Sequence, residues 1–152
     1  MMPTELERNI SEVDRRIRAA ELASGRASGA VSLLAVSKTK PSELIRQAHG
    51  FGLSAFGENY AQEMAEKAAA LADLPLSWHF IGPIQSNKTA LIADVSDWVH
   101  SIDRLKVARR LSEQRPDGKA PLNVLVQINT SNEDSKSGVR PNAEPELMAA
   151  VN

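Results

Sequence analysis

Short apolar runs alternate with segments of helical composition along most of this sequence, and this alternation constrains the fold more than any other feature. The apolar runs lie at residues 33–36, 54–56, 78–81, 98–102 and 124–128. Segments of helical composition follow them at residues 42–48, 61–71, 88–93, 104–113 and 144–151. The first and last runs are almost continuously apolar, as strands buried on both faces are. The pattern therefore predicts parallel strands joined by right-handed helical crossovers.

An amphipathic helix is predicted before the first strand, over about residues 4–23. Its apolar residues recur at helical spacing, which places them on one face: Leu6, Ile10, Val13 and Ile17. Thr4 and Glu7 have the spacing of a capping box, and Gly25 and Gly29 follow the helix. We expect the apolar stripe to pack on the wall of the sheet.

Two architectures fit alternating strands and helices, an open doubly wound sheet and a closed eight-stranded barrel. A closed barrel needs about 250 residues, and this chain has 152. Length alone therefore favours the open sheet. No linker or low-complexity segment divides residues 1–152, so a single domain is predicted.

Charge and composition exclude several classes of function. A net charge of −1 and a pI near 6.3 provide no field for binding nucleic acid or an acidic membrane. The sequence has no cysteine, no membrane-length apolar run and no signal-peptide pattern at its start, so a cytoplasmic location is expected. Dinucleotide-binding, P-loop and serine-elbow motifs are also absent from the sequence.

Polar residues follow each apolar run, and Lys38 is the most informative of them. In a parallel β-α protein the functional residues lie at the carboxyl ends of the strands, and Lys38 directly follows the first run. Desolvation there and repulsion from Lys40 would favour a neutral, nucleophilic amine with a carbonyl partner. The position by itself is more typical of lysines that remain solvated at the strand end.

Glycines after the other predicted strands, and aromatic residues within them, can each be interpreted as structural or as functional. Gly57-Glu58-Asn59 and Gly82-Pro83 read as turns, or as sites where the backbone approaches a flat ligand. His79 and His100 lie inside predicted strands and are expected to be hydrogen-bonded residues of the core or the barrel lining rather than metal ligands. Trp78 and Trp98 are expected to be packing residues.

Four strings in the same order closely resemble the YggS/PROSC family of pyridoxal phosphate homeostasis proteins. They are LLAVSKTKP at residues 33–41, FGENYAQE at 56–63, WHFIGPIQSNK at 78–88, and NVLVQIN at 123–129 continued by EDSKSG at 133–138. The resemblance covers nearly the whole chain. It implies a parallel β/α (TIM) barrel like the N-terminal domain of alanine racemase, represented here by about the first five β-α units.

The resemblance also implies a cofactor, pyridoxal 5'-phosphate (PLP), held as a Schiff base on Lys38. Family members are thought to carry, buffer or deliver PLP without turnover, and PLP-dependent apoenzymes are the expected recipients. The candidate cofactor-binding residues are Lys38, Asn59, His79, Ser86, Asn87, Lys40 and Lys136. Lys40 and Lys136 would supply charge or a transfer site. No catalytic residue and no metal ligand are predicted.

Family members continue through roughly three further β-α units beyond the length of this chain. By resemblance, those units carry the phosphate-binding loops and the arginine that faces the pyridine nitrogen. The chain is therefore predicted to be a truncated member with weak PLP binding. Full-length members are expected to be monomers, whereas the unpaired sheet edges of this chain would favour association.

Two other functions are compatible with the residues. A PLP-dependent racemase-like enzyme would need an acid-base residue opposite Lys38, and Tyr60 is the only tyrosine in the sequence. An inactive fragment would act only by pairing its open edge with another chain.

Overall fold

A computed structural model describes residues 2–151 and contains a parallel sheet with helices between the strands. The strands are β1 (Ala35–Val36), β2 (Ala55–Glu58), β3 (Ser77–Phe80), β4 (Trp98–Ile102) and β5 (Asn123–Val126). The α-helices are α1 (Glu5–Ala23), α2 (Ser42–Gly50), α3 (Ala61–Ala70), α4 (Thr89–Val95), α5 (Leu105–Gln114) and α6 (Glu144–Val151), and a 3-10 turn at Ser86–Lys88 precedes α4. Every predicted strand and helix is present, with bounds shifted by a few residues.

Strand order distinguishes the two architectures that the sequence left open. The five strands pair in the order β1-β2-β3-β4-β5, and all pairs are parallel. A doubly wound sheet reverses its strand order in the middle, so that right-handed crossovers place helices on both faces. Here the order never reverses, and the helices share one face. The doubly wound topology that length alone favoured is therefore wrong. The strand order is that of a β/α barrel, which confirms the predicted barrel class, and within residues 2–151 the five strands form an unclosed segment of it.

The core lies between the outer face of the sheet and the helices. Phe56, Trp78, Phe80 and Val99 alternate along the strands and are buried against the helices. The helices contribute Ile45, Met64, Ile92, Val107 and Leu111 to the same cluster. The inner face is more open, because Val36 is 54% exposed and Leu125 is 45% exposed.

Helix α1 begins as predicted, and part of its apolar stripe packs as expected. The Thr4 hydroxyl accepts a hydrogen bond from the Glu7 amide at 3.1 Å, as an N-cap does. Leu6 and Ile10 pack against the core, whereas Val13 is 39% exposed. The prediction that the whole stripe is covered is therefore wrong at Val13.

A buried carboxylate fixes the connection from α1 to β1. Glu21 accepts hydrogen bonds from the amides of Val31 at 2.8 Å and Gly29 at 3.1 Å, and it pairs with Arg18 at 2.7 Å. The bond from the Val31 amide is the main cause that lowers the pKa of Glu21, despite the opposing effect of burial. This anchor sets where the chain enters β1.

None of the helices within residues 2–151 has the length and apolar character needed to cross a membrane.

Candidate functional site at the carboxyl edge of the sheet

The carboxyl ends of all five strands lie at one edge of the sheet, because every pair of strands is parallel. Lys38 and Lys40 follow β1, Asn59 follows β2, and Ser86 and Asn87 follow β3. The predicted residues therefore share this edge. We call it the carboxyl edge.

Lys38 lies in a tight turn whose backbone is held at both ends. The Ser37 amide donates to the Gly57 carbonyl at 2.9 Å, which continues the β1–β2 pairing. The Lys40 amide donates to the Ser37 carbonyl at 3.1 Å and closes the turn. Thr39 has a φ of 64°, a left-handed conformation that is rare for a β-branched residue. The Lys38 side chain is exposed, so the desolvation expected from the sequence is wrong for this chain.

A buried ion network lies beneath this turn. The Lys67 ammonium group donates to Glu58 Oε1 at 2.6 Å, to Glu63 Oε1 at 2.7 Å and to the Ser37 carbonyl at 2.8 Å. The Glu58 side chain is 0% exposed and that of Lys67 is 7% exposed. The Ser37 hydroxyl donates to Glu58 Oε1 at 2.7 Å. We call Ser37, Glu58, Glu63 and Lys67 the Lys67 network.

Glu63 joins the Lys67 network to the far side of the turn. Its Oε1 accepts a hydrogen bond from the Thr39 amide at 2.6 Å. The hydrogen bond from Lys67 is the main cause that lowers the pKa of Glu63, and the Thr39 amide adds to it. Glu63 therefore remains an anion at neutral pH, and it can then accept hydrogen bonds from both the Lys67 ammonium group and the Thr39 amide.

Sequence reasoning missed the Lys67 network. Glu63 and Lys67 have the i,i+4 spacing of an ordinary exposed helix pair, which was the only available signal. Gly57-Glu58 was read as a turn, but both residues belong to β2, which corrects that reading. Their pairing with β1 and β3 keeps the chain extended, and Glu58 then points toward α3.

His79 and His100 form a hydrogen-bonded pair on the inner face of the sheet. His79 Nδ1 lies 2.9 Å from His100 Nε2, and His79 Nε2 lies 3.1 Å from the Ser77 hydroxyl. The His79 ring also stacks on Trp98, with centroids 5.8 Å apart and planes 4° from parallel. The predicted hydrogen-bonded lining histidines are therefore present. Trp78 is a core residue as predicted, whereas Trp98 additionally stacks on an imidazole.

The imidazole pair leads to a testable titration. Burial lowers the pKa of both histidines, and the neighbouring His100 lowers that of His79 further, against the opposing effect of Asp97. Both pKa values should lie below the ordinary value of about 6.5 in an NMR titration. His100→Asn should raise the pKa of His79 only part of the way, because burial, the larger cause, remains. An ordinary pKa for His79 in the unmutated chain would contradict this account.

The lowered pKa values of His79 and His100 also predict how the stability of the fold changes with pH. A histidine with a lowered pKa in the folded state binds fewer protons folded than unfolded in the interval between the two pKa values. The contribution of the pair to stability should therefore be complete above about pH 6.5 and should decline as the pH falls below it.

The remaining candidate residues are spread along the carboxyl edge. Asn59 Oδ1 is buried and has no hydrogen-bond partner among residues 2–151. The Ser86 carbonyl accepts from the Thr89 hydroxyl at 3.0 Å, and Asn87 is exposed in the same 3-10 turn. Lys136 lies in the loop after β5, which is separated from β1 by three intervening strands of the sheet. In this chain Lys136 is thus far from Lys38 along the sheet.

Tyr60, the acid-base candidate of the enzyme reading, is 60% exposed and precedes α3. It lines a cavity of about 350 Å³ together with Asn59, Gln62, Gln85 and Lys88. Lys38 is not among the residues that line this cavity. Tyr60 and Lys38 therefore do not line this cavity together.

Five parallel β-α units paired in sequence order define the class of this protein as a β/α barrel, a fold in which functional residues generally follow the strands. Within that class, the sequence matches the alanine racemase N-terminal domain over residues 5–152, and the chain belongs to that family. An alanine racemase of Corynebacterium glutamicum has the same fold, with a TM-score of 0.60 at 17% identity over 91% of this chain and 38% of that one.

Curated relatives confirm the resemblance to pyridoxal phosphate homeostasis proteins. Proteins of that name from Pseudomonas aeruginosa and Pasteurella multocida are 62% and 55% identical over 94% and 96% of this chain. The chain spans 62% and 64% of the length of these two relatives.

Two solved structures are similar to this chain in both fold and sequence. A protein from Bifidobacterium adolescentis, described as an unknown protein, has a TM-score of 0.87 at 32% identity, over 97% of this chain and 64% of that one. PipY of Synechococcus elongatus, solved with PLP bound, has a TM-score of 0.67 at 36% identity, over 86% of this chain and 62% of that one.

Proposed function

We propose that this chain is a cytoplasmic, non-catalytic carrier of PLP that holds the cofactor as a Schiff base on Lys38 and delivers it to PLP-dependent apoenzymes. The names of the relatives and the PLP-bound structure of PipY support the cofactor. The same names, which describe homeostasis and no reaction, support a carrier rather than an enzyme. The cytoplasmic location rests on the sequence composition.

The observation that carries the proposal is the state of the Lys38 amine. It is exposed at the carboxyl edge, and it has neither an ion pair nor a hydrogen bond with any residue in the described part of the chain. Its backbone is nevertheless fixed by the turn beneath it. PLP supplies an aldehyde, with which a primary amine condenses reversibly. A free amine on a fixed backbone fits such a ligand.

Neighbouring groups suit the binding and orientation of a polar aromatic ring. His79 and His100 remain neutral at pH 7, because burial lowers their pKa values, and they place polar ring atoms on the inner face. The unpartnered Asn59 Oδ1 is available as a hydrogen-bond acceptor. We propose that Ser86 and Asn87 add polar contacts and that Lys40 and Lys136 add positive charge.

We expect this chain to hold PLP weakly. Val36 and Leu125 on the inner face are 54% and 45% exposed. An uncovered inner face lets water reach a bound ligand and hydrolyse its bond to the amine. PLP should therefore exchange readily.

An absorbance titration tests the function. Adding PLP to the chain should produce the absorbance of a protonated imine, and Lys38→Ala should abolish at least about nine tenths of it, because Lys38 is the lysine that the proposal assigns to the cofactor. Lys106→Ala, which removes an exposed lysine of α5 that has no proposed contact with PLP, is the matched control and should retain the signal. Equal signals from the two variants would refute the role of Lys38.

An activity assay of the same samples separates the carrier from the enzyme. PLP-loaded chain should not interconvert L- and D-alanine, since no acid-base residue forms a hydrogen bond or ion pair with the Lys38 side chain among residues 2–151. Racemisation that Lys38→Ala abolishes would show that the carrier proposal is wrong and that the chain is an enzyme.

A further inference from the structure

The Lys67 network contacts the chain on both sides of Lys38. On the N-terminal side, the Ser37 carbonyl accepts from Lys67 and the Ser37 hydroxyl donates to Glu58. On the C-terminal side, the Thr39 amide donates to Glu63 at 2.6 Å. Lys38 is thus the residue between two backbone positions that one buried cluster holds.

The contact at Thr39 holds a conformation that the residue would otherwise avoid. Left-handed backbone geometry brings the β-carbon of an L-residue close to a carbonyl oxygen, and Thr39 has a φ of 64°. A charge-assisted hydrogen bond from its amide to an anionic carboxylate opposes this preference. Without Glu63 the turn is expected to sample other conformations and to carry Lys38 with it.

Lys67 holds the turn in place, but its own amine is not available to form an imine. An ammonium group has three hydrogen-bond donors, and Lys67 uses its donors on Glu58, Glu63 and the Ser37 carbonyl. Its side chain is also only 7% exposed. The buried lysine of the cluster therefore positions the turn, while the exposed Lys38 remains available.

We propose that Glu63 and Lys67 are positioning residues that fix the backbone around Lys38 and so direct imine formation to this lysine. The inference rests on the proposed function for its chemistry. In that chemistry the Lys38 nitrogen bonds to the aldehyde carbon, and the carbonyl oxygen leaves as water with both amine hydrogens. Exposed amines such as Lys40 can react in the same way, so selectivity between Lys38 and Lys40 reports the effect of the fixed turn.

Glu63→Ala tests the inference, with Glu66→Ala as its matched control. Glu66 lies on the same helix, is exposed and accepts a hydrogen bond from Gln62 at 3.1 Å. Each chain is mixed with PLP and reduced with borohydride, which delivers hydride to the imine carbon and leaves a stable amine. The ratio of label on Lys38 to label on Lys40 is then measured by peptide mapping. A general loss of stability would not by itself favour one lysine of the turn over the other.

The ratio should fall by about tenfold in Glu63→Ala, since small misplacements of a reacting group cost rate. It should be unchanged in Glu66→Ala and partly restored in Glu63→Gln, whose amide oxygen can still accept from Thr39. An unchanged ratio in Glu63→Ala would overturn the inference while leaving the proposed function intact.

Amide hydrogen exchange, measured without PLP, tests the positioning role of Glu63 separately from the proposed PLP-binding function. Exchange of the Thr39 amide should be slow in the unmutated chain and in Glu66→Ala, and at least about tenfold faster in Glu63→Ala. If Lys38 takes no label in the unmutated chain, the proposed function is wrong, and the exchange rates alone decide whether Glu63 holds the turn. Equal exchange rates in all three chains would show that it does not.

Discussion

Lys67→Met is expected to lower the free energy of unfolding by about 3–5 kcal/mol, because it leaves a buried carboxylate without its cation. The Glu58 side chain is 0% exposed, and its Oε1 would keep only the Ser37 hydroxyl as a donor. Its other oxygen already has no hydrogen-bond partner within residues 2–151. Urea unfolding of the variant and the unmutated chain measures the difference.

Two further variants identify the cause of that loss. Lys106→Met makes the same substitution at an exposed position of α5 and should change the free energy of unfolding by less than about 0.5 kcal/mol. The double variant Glu58→Gln/Lys67→Met removes the stranded charge and should recover at least about half of the loss. A loss under about 1 kcal/mol in Lys67→Met would show that the pair contributes little more than a surface ion pair.

Gly82→Ala is expected to lower the free energy of unfolding by about 1–3 kcal/mol, since the added methyl group has no space. A β-carbon at this position would overlap the Asn59 carbonyl oxygen and would lie 2.8 Å from the Asn59 α-carbon. These are backbone atoms, so relief requires the loops after β2 and β3 to separate. The Gly82 carbonyl also accepts the Ser101 hydroxyl at 2.5 Å, and this contact should weaken as the loops part.

Gly50→Ala is the matched control for the substitution at Gly82. Gly50 ends α2, and a β-carbon there would meet no atom within 4 Å. This variant should be neutral or more stable by up to about 1 kcal/mol, because alanine restricts the unfolded chain more than glycine does. If both variants unfold at the same urea concentration, the loops after β2 and β3 are not in close contact.

The strands and helices were predictable from sequence because their burial follows simple periods. Trp78 and Phe80 alternate with His79 along β3, and this alternation of buried and half-buried residues matches the pleat. The cap at Thr4 was equally local, since its partner lies three residues away. Predictions of this kind depend on neighbours in the chain, which the sequence supplies directly.

Interactions between distant residues could not be predicted in the same way. Glu58 is buried because its strand pairs with β1 and β3 and its side chain meets Lys67 of α3. Spacing alone presents Glu63 and Lys67 as a surface pair. The exposure of Lys38 was left open by the sequence, because a position after an apolar run does not determine which groups cover the side chain.

Peptide mapping of the unmutated chain after mixing with PLP and reduction by borohydride tests the central claim most directly. The account predicts that the label lies on Lys38, whose backbone on both sides is held by the Lys67 network, and that Lys38→Ala loses it. A label on Lys40 or Lys136 instead, or unchanged labelling of the Lys38→Ala variant, would contradict the account.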